Sequence, residues 1–202
     1  MIDALITSYQ LKDEVRTGWR LRGIADPESV ADHSWGTAYL VLLYAEESGV
    51  ERSRALEIAL VHDLAEAITG DIPTRVAGID DARRKEAKAA REREAMAAVL
   101  AGYAPASAAR VHELWQEYEE NRSDEARFVR DMNLVDMCIQ ACAYERDGRY
   151  DHTVANPEFP EYRRLDEFFA TAEARIQTSF GRSLFDRVAD RYAKIRDEGA
   201  CE

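Results

Sequence analysis

The run Ala55-Leu56-Glu57-Ile58-Ala59-Leu60-Val61-His62-Asp63-Leu64-Ala65-Glu66 is apolar on nearly every side and holds no glycine or proline. Such a stretch reads as a helix buried in a core, so it demands a fold in which other elements enclose it. The run also carries an imidazole and a carboxylate side by side, His62 and Asp63. Burying both is costly unless something pairs with them, and a metal ion suits both at once. Glu66 lies one helical turn further on and projects from the same face. His33, at the start of another apolar helix, can supply a further nitrogen ligand. A lone histidine on an apolar helix is ordinarily a packed core residue. The adjacent carboxylate and the following glutamate turn this one into a candidate catalytic metal ligand.

The remaining sequence supports a helical enclosure. With 202 residues the chain fits one domain with a proper core. Glycine (10) and proline (5) are scarce, and no strand pattern of any length occurs, so the expectation is a single-domain, all-α helical bundle over 1–202. Periodicity and capping residues predict helices from Ile2 to Asp13, Val30 to Ser48 (stopped by Gly49) and Ser53 to Thr69 (capped by Ser53, ended by Gly70). Further helices are expected from Asp80 to Leu100, from Ala106 to Asn121 and from Ser123 to about Asp147, with two more after a linker from Gly148 to Pro160. Thr17 to Ser29 reads as a loop broken by Gly18, Gly23 and Asp26-Pro27. Gly70-Asp71-Ile72-Pro73-Thr74 reads as a tight loop that sets Asp71 just beyond the helix bearing His62. The aromatic positions Phe159, Tyr162, Phe168 and Phe169 are expected in core or interface packing.

Composition excludes several functions. A net charge of −12 argues against a protein that coats nucleic acid, because binding a phosphate polymer needs a basic surface. One small phosphorylated ligand, held by a local arginine and a metal, remains compatible. No apolar stretch of about 18 residues is present and the first residues lack the basic start of a signal peptide, so no membrane association is expected and the location is read as cytoplasmic. Cys138, Cys142 and Cys201 have no framework spacing; the first two read as core thiols.

A catalytic divalent ion needs about three or four protein ligands and a free position. His33, His62 and Asp63 supply three. A fourth is expected from the long helix near 131–136, where Asp131, Asn133 and Asp136 are available and periodicity does not choose among them. Glu66 and Asp71 can serve acid–base roles, orienting an attacking water or protonating a departing alkoxide. Arg16, Arg20 and Arg22 cluster near the N-terminus, where they can meet a phosphate or simply face solvent. His112 and His152 have no metal-site context, which favours one ion rather than two.

The strings Arg16-Thr17-Gly18-Trp19, Pro27-Glu28-Ser29-Val30-Ala31-Asp32-His33-Ser34-Trp35, Ala59-Leu60-Val61-His62-Asp63-Leu64-Ala65-Glu66 and Gly70-Asp71-Ile72-Pro73 together resemble the HD-domain phosphohydrolases. The similarity is greatest to the branch containing the bacterial 5′-deoxynucleotidase and its eukaryotic relatives, and it extends over about 5–147, through Phe128-Val129-Arg130-Asp131 and Gln140-Ala141. The C-terminal helices in 148–202 carry no motif.

The resemblance implies an HD-type bundle with His33, His62 and Asp63 as metal ligands and Glu66 and Asp71 as the acidic catalytic residues. It implies Arg16 and Trp19 as contacts to phosphate and sugar, the tryptophan rejecting a ribose 2′-hydroxyl, and Lys88 as a basic group near the phosphate. It further implies deoxyribonucleoside 5′-monophosphates as substrates, one divalent cofactor ion (Mn, Co or Mg) and a homodimer. The chain departs from the family where a V-K-x-x-D pattern places the fourth ligand. Here the sequence is Val129-Arg130-Asp131-Met132-Asn133, and the ligand position falls on Asn133. A neutral amide oxygen coordinates a hard cation more weakly than a carboxylate. Alternatives are therefore a nucleotide-binding regulator with a weakened metal site, or a phosphatase for another small phosphate ester.

Overall fold

The His62 run lies in the interior, as its composition requires, but not as one continuous helix. The computed structural model describes residues 1–73, 82–154, 156 and 160–198, with side chains of the second stretch from 86 onward. Thr74, Asp80, Phe159 and Cys201 lie outside the described residues. The elements are α1 (Ile2–Tyr9), a 3-10 turn (Gln10–Lys12), α2 (Thr17–Leu21), α3 (Val30–Ser48), α4 (Arg52–Val61) and α5 (Glu66–Thr69). They continue with α6 (Ala82–Leu100), α7 (Pro105–Glu119), α8 (Asp124–Arg146), α9 (Asp166–Glu173) and α10 (Ser179–Glu198). Among the described residues no strand forms, only an isolated bridge between Val15 and Ser29. The fold is an all-α single domain.

Helix α8 is the axis of the bundle, packed against α3, α4, α7, α9 and α10. Its Phe128, Val129, Met132, Val135, Cys138 and Ala141 meet Val41 and Ala45 of α3, Ile58 and Ala59 of α4, and Leu184 and Phe185 of α10 in one core. Each large side chain buried there contributes about 1.5–3 kcal/mol. The C-terminal helices therefore share the main core and are not an appendage. Tyr162, Phe168 and Phe169 fall among them, the two phenylalanines within the core. A second cluster joins Ala65 to Ala95, Met96 and Leu100 of α6 and Trp115 of α7.

Where side chains fix a helix end, sequence and structure agree. Ser29 and Asp32 form a reciprocal capping box at the start of α3, and Gly49 ends it in the left-handed region at φ 83°. Ser123 accepts the Ala126 N–H at the start of α8. Elsewhere the expected boundaries shift. The first helix tightens into the 3-10 turn after Tyr9, and the supposed loop from Thr17 contains α2. Ser53 is not a cap: the Glu51 carboxylate takes the N–H groups of Ser53 and Arg54 at 2.8 and 2.7 Å.

The largest correction concerns the predicted helix from Ser53 to Thr69. It stops at Val61, and residues 62–65 form a turn before α5. Bonds of the i→i+3 kind, Leu64 N–H to Val61 (3.1 Å) and Glu66 N–H to Asp63 (2.9 Å), tighten the chain here. The imidazole of His62 turns back and donates from Nδ1 to the Ala59 carbonyl at 2.7 Å. No breaker residue marks this point, so the period of the sequence gives no sign of it.

Candidate metal and substrate site

The fold brings α3, the turn after α4 and the middle of α8 to one buried spot. His33 is fully buried and His62 is 2% exposed. The Asp63 Oδ2 lies 3.1 Å from His62 Nε2 and 3.7 Å from His33 Nε2. These three atoms are buried and have no hydrogen-bond partner. Each imidazole is tied at its other nitrogen: His62 Nδ1 to the Ala59 carbonyl, and His33 Nδ1 to Asp136 Oδ2 at 2.7 Å. With Nδ1 as donor, each Nε2 presents a lone pair toward a carboxylate oxygen. Three acceptors converging in a dry interior repel one another unless a proton or a metal cation lies between them. Two imidazoles and a carboxylate suit first-row divalent ions, so the residues present fit a metal.

Protonation follows from burial and neighbours. Burial lowers His33 to about 3, with Arg16 adding to the effect, and so keeps it neutral. Burial opposes ionisation of Asp63, yet His62 and Arg16 hold its carboxyl well below the usual carboxylate range, and Asp63 in turn raises His62 against the effect of burial. Glu66, 7% exposed and with Oε2 unpartnered, is pushed well up by burial and then by Asp63 and Asp71. A carboxyl in that condition can hold and pass a proton. Asp71 is otherwise committed: it accepts from Arg16 Nη1 at 3.3 Å and from the Thr17 N–H at 2.5 Å, fastening the start of α2. Arg16 also lies 3.8 Å from Asp63.

A cavity of about 670 Å³ opens on these groups, and Arg16, Trp19, His62, Asp63, Glu66, Asp71, Lys88 and Asn133 all line it. His33 lies behind them. Lys88 reaches the Ile72 carbonyl at 3.3 Å and Glu92 at 3.4 Å. Trp19 is 1% exposed. It stacks on Phe168 at 3.9 Å, meets Tyr144 edge-on, and donates from Nε1 to Glu28 at 2.8 Å, so its ring is fixed. Asn133 donates from its amide to the Tyr118 hydroxyl at 2.9 Å, and the Tyr118 ring packs edge-on against His62.

The other α8 candidates separate clearly. Asp131 faces away and caps the approach to α10 through Gln177 and Thr178. Asp136 touches His33 on the nitrogen opposite the cluster. Glu28, His33 and Asp136 also lie close together. There, however, His33 Nδ1 is already donated to Asp136 and Glu28 already accepts from Trp19, so no unpartnered atom calls for a cation.

Several cavity residues escaped the sequence: Tyr118, Arg130, Met137 and, from the motif-free C-terminal stretch, Phe168 and Gln177. Phe168 was expected only as packing, and an apolar period cannot separate a core position from a cavity wall. Arg130 lies over the Tyr118 ring at 4.2 Å and donates to the Tyr118 carbonyl. No helix among the described residues is long and apolar enough to cross a membrane.

Residues 8–175 match the HD domain family. The chain is 38% identical over 176 residues to the 5′-deoxynucleotidase HDDC2 of Bos taurus, covering 83% of each protein. It is 38% identical over 141 residues to the 5′-deoxynucleotidase hdd1 of Schizosaccharomyces pombe, covering 68% of each. Among solved structures, a Pyrococcus horikoshii protein superposes with a TM-score of 0.68 at 32% identity, over 96% of this chain and 99% of the other.

Proposed function

Because the chain belongs to the HD-domain family, we propose that it is a metal-dependent phosphomonoesterase that hydrolyses deoxynucleoside 5′-monophosphates to nucleoside and phosphate. The observation that carries this reading is the convergence of His33 Nε2, His62 Nε2 and Asp63 Oδ2, all buried and unpartnered, beside a cavity lined by Arg16 and Lys88. The relatives named 5′-deoxynucleotidase support the substrate class.

In this proposal His33, His62 and Asp63 would hold one divalent ion, Mn, Co or Mg, and Asn133 would offer its amide oxygen as a weak fourth ligand. A bound ion would supply electrophilic charge to a phosphoryl oxygen and lower the pKa of water. Arg16 and Lys88 bind the phosphate as cations. Glu66 takes the proton of the attacking water. Water oxygen bonds to phosphorus as the bond from phosphorus to O5′ breaks. In-line displacement puts the leaving O5′ on the far side, where Asp71, one of several carboxyls on the cavity wall, would deliver a proton to O5′ and regain one from water. Trp19, rigidly held by Phe168 and Glu28, forms the wall against which a 2′-hydroxyl would press. A homodimer and a cytoplasmic location belong to the same proposal. The exposed stripe of Trp35, Tyr39, Leu42 and Leu43 on α3 supports self-association, and the free thiols Cys138 and Cys142 agree with a reducing compartment.

Phosphate release from deoxy- and ribonucleoside 5′-monophosphates, with Mn²⁺, Co²⁺ or Mg²⁺ restored after chelation, tests the reading. Metal-dependent release favouring deoxy substrates is expected, falling by about 10²–10⁴ in Glu66→Gln. Nucleotide binding without release under any metal would favour a regulatory binder, the alternative that Asn133 raises.

A further inference from the structure

Asp136 contributes nothing to the converging ligand atoms, yet the surrounding structure is shaped to admit it. Its Oδ2 lies 2.7 Å from His33 Nδ1. Gly36, one turn after His33 on α3, faces it: a Cβ there would overlap Asp136 Oδ1 and crowd its Cγ at 2.9 Å. A glycine inside a helix is about 1 kcal/mol less favourable than alanine. At this position it leaves the gap through which α8 delivers a carboxylate to a buried imidazole. His33 is wholly buried and its Nε2 has no partner, so the Asp136 contact is the hydrogen bond that decides which ring nitrogen carries the proton.

We propose that Asp136 is a positioning residue for the metal centre, accepting Nδ1–H of His33 so that Nε2 is held deprotonated and aimed at the ion, with Gly36 as its required counterpart. The inference rests on the metal-dependent reading above. A carboxylate behind a histidine ligand fixes its tautomer and orientation and raises its basicity. In this chain the support matters more than usual, because the ligand position on α8 carries a neutral amide.

The test is Co²⁺ binding to the metal-free full-length protein, measured by calorimetry and by the visible spectrum of the Co²⁺ form, without substrate. Asp136→Ala is expected to weaken binding about 10–100-fold and to alter the spectrum. Asp136→Asn should lose less, since its amide oxygen still accepts from Nδ1. Gly36→Ala should weaken binding as well, because the added methyl displaces the carboxylate without removing it. Nitrogen-15 spectra of the histidines should place the His33 proton on Nδ1 in the native metal-free protein and shift it toward Nε2 in Asp136→Ala. Circular dichroism melts of the metal-free forms identify any variant that fails to fold, in which case the isosteric Asp136→Asn carries the test. Unchanged affinity and spectrum in the folded variants would overturn the proposal. A native protein that binds Co²⁺ but releases no phosphate would sink the nucleotidase reading alone, whereas one that binds no Co²⁺ would overturn both.

Discussion

Two aspartates on α8, Asp131 and Asp136, stand little more than a turn apart, and each packs against a glycine on a neighbouring helix, Gly181 on α10 and Gly36 on α3. Asp131 accepts the N–H groups of Gln177 and Thr178 at 2.9 and 2.8 Å and the Thr178 hydroxyl at 2.6 Å. All of those donors lie at the entry to α10, so the carboxylate acts as a cap that docks one helix on another. Asp136 instead bonds to a ring, His33, whose other nitrogen points at unpartnered acceptors. Burial by itself therefore does not distinguish function from structure. The distinction is whether the partner is a fixed backbone donor, which ends the chain of contacts, or a group that passes the effect to a reactive site.

That contrast can be broken by experiment. The largest effect is expected at the centre of the site: Asp63→Asn, or removal of the ion by chelation, should reduce phosphate release on the order of 10³-fold while the metal-free protein still gives a native circular dichroism spectrum. Asp131→Ala should do the reverse. Leaving the part-buried donors of Gln177 and Thr178 without their cap costs about 1–2 kcal/mol, seen as a lower midpoint in a urea melt, while Co²⁺ affinity and turnover per folded molecule stay unchanged. If Asp131→Ala lost metal instead, the division between the two aspartates would fail. Gly181→Ala should cost about 1–3 kcal/mol by the same overlap, again with metal affinity intact, in contrast to Gly36→Ala. The smallest effect is expected for Asn133→Asp, which restores a charged ligand and should tighten Co²⁺ roughly tenfold in a calorimetric titration.

Much of the fold was legible because local chemistry fixed it. Ser29, Asp32 and Gly49 set the ends of α3 through contacts within a few residues, and those ends fell where the sequence put them. The break after Val61 was not legible. It depends on a side chain, His62, bonding back to its own helix, and no residue type announces that choice. In the site, His33, His62, Asp63, Glu66, Asp71, Arg16, Trp19 and Lys88 were all singled out as polar or aromatic groups in motif positions. Their convergence was not readable, and neither was the part of the cavity wall formed by Phe168 and Gln177, since sequence separation hides which helices meet. The sequence offers Asp136 only as a direct ligand. Its direction on α8 differs from that of Asn133, and the structure gives that difference a use.

The sequence by itself determined an all-α chain with an imidazole and a carboxylate inside an apolar helix, because period, capping and the cost of burying charge are local properties. It also carried the departure at Asn133. Only the tertiary structure decided that the two Nε2 atoms and Asp63 Oδ2 meet without partners, that Asp71 is tied to Arg16 and Thr17, and that Asp136 reaches His33 through the gap at Gly36. Those outcomes depend on how α3, α4 and α8 pack at distances of a few ångström. Packing of that kind is set by the whole core together, and no single segment encodes it.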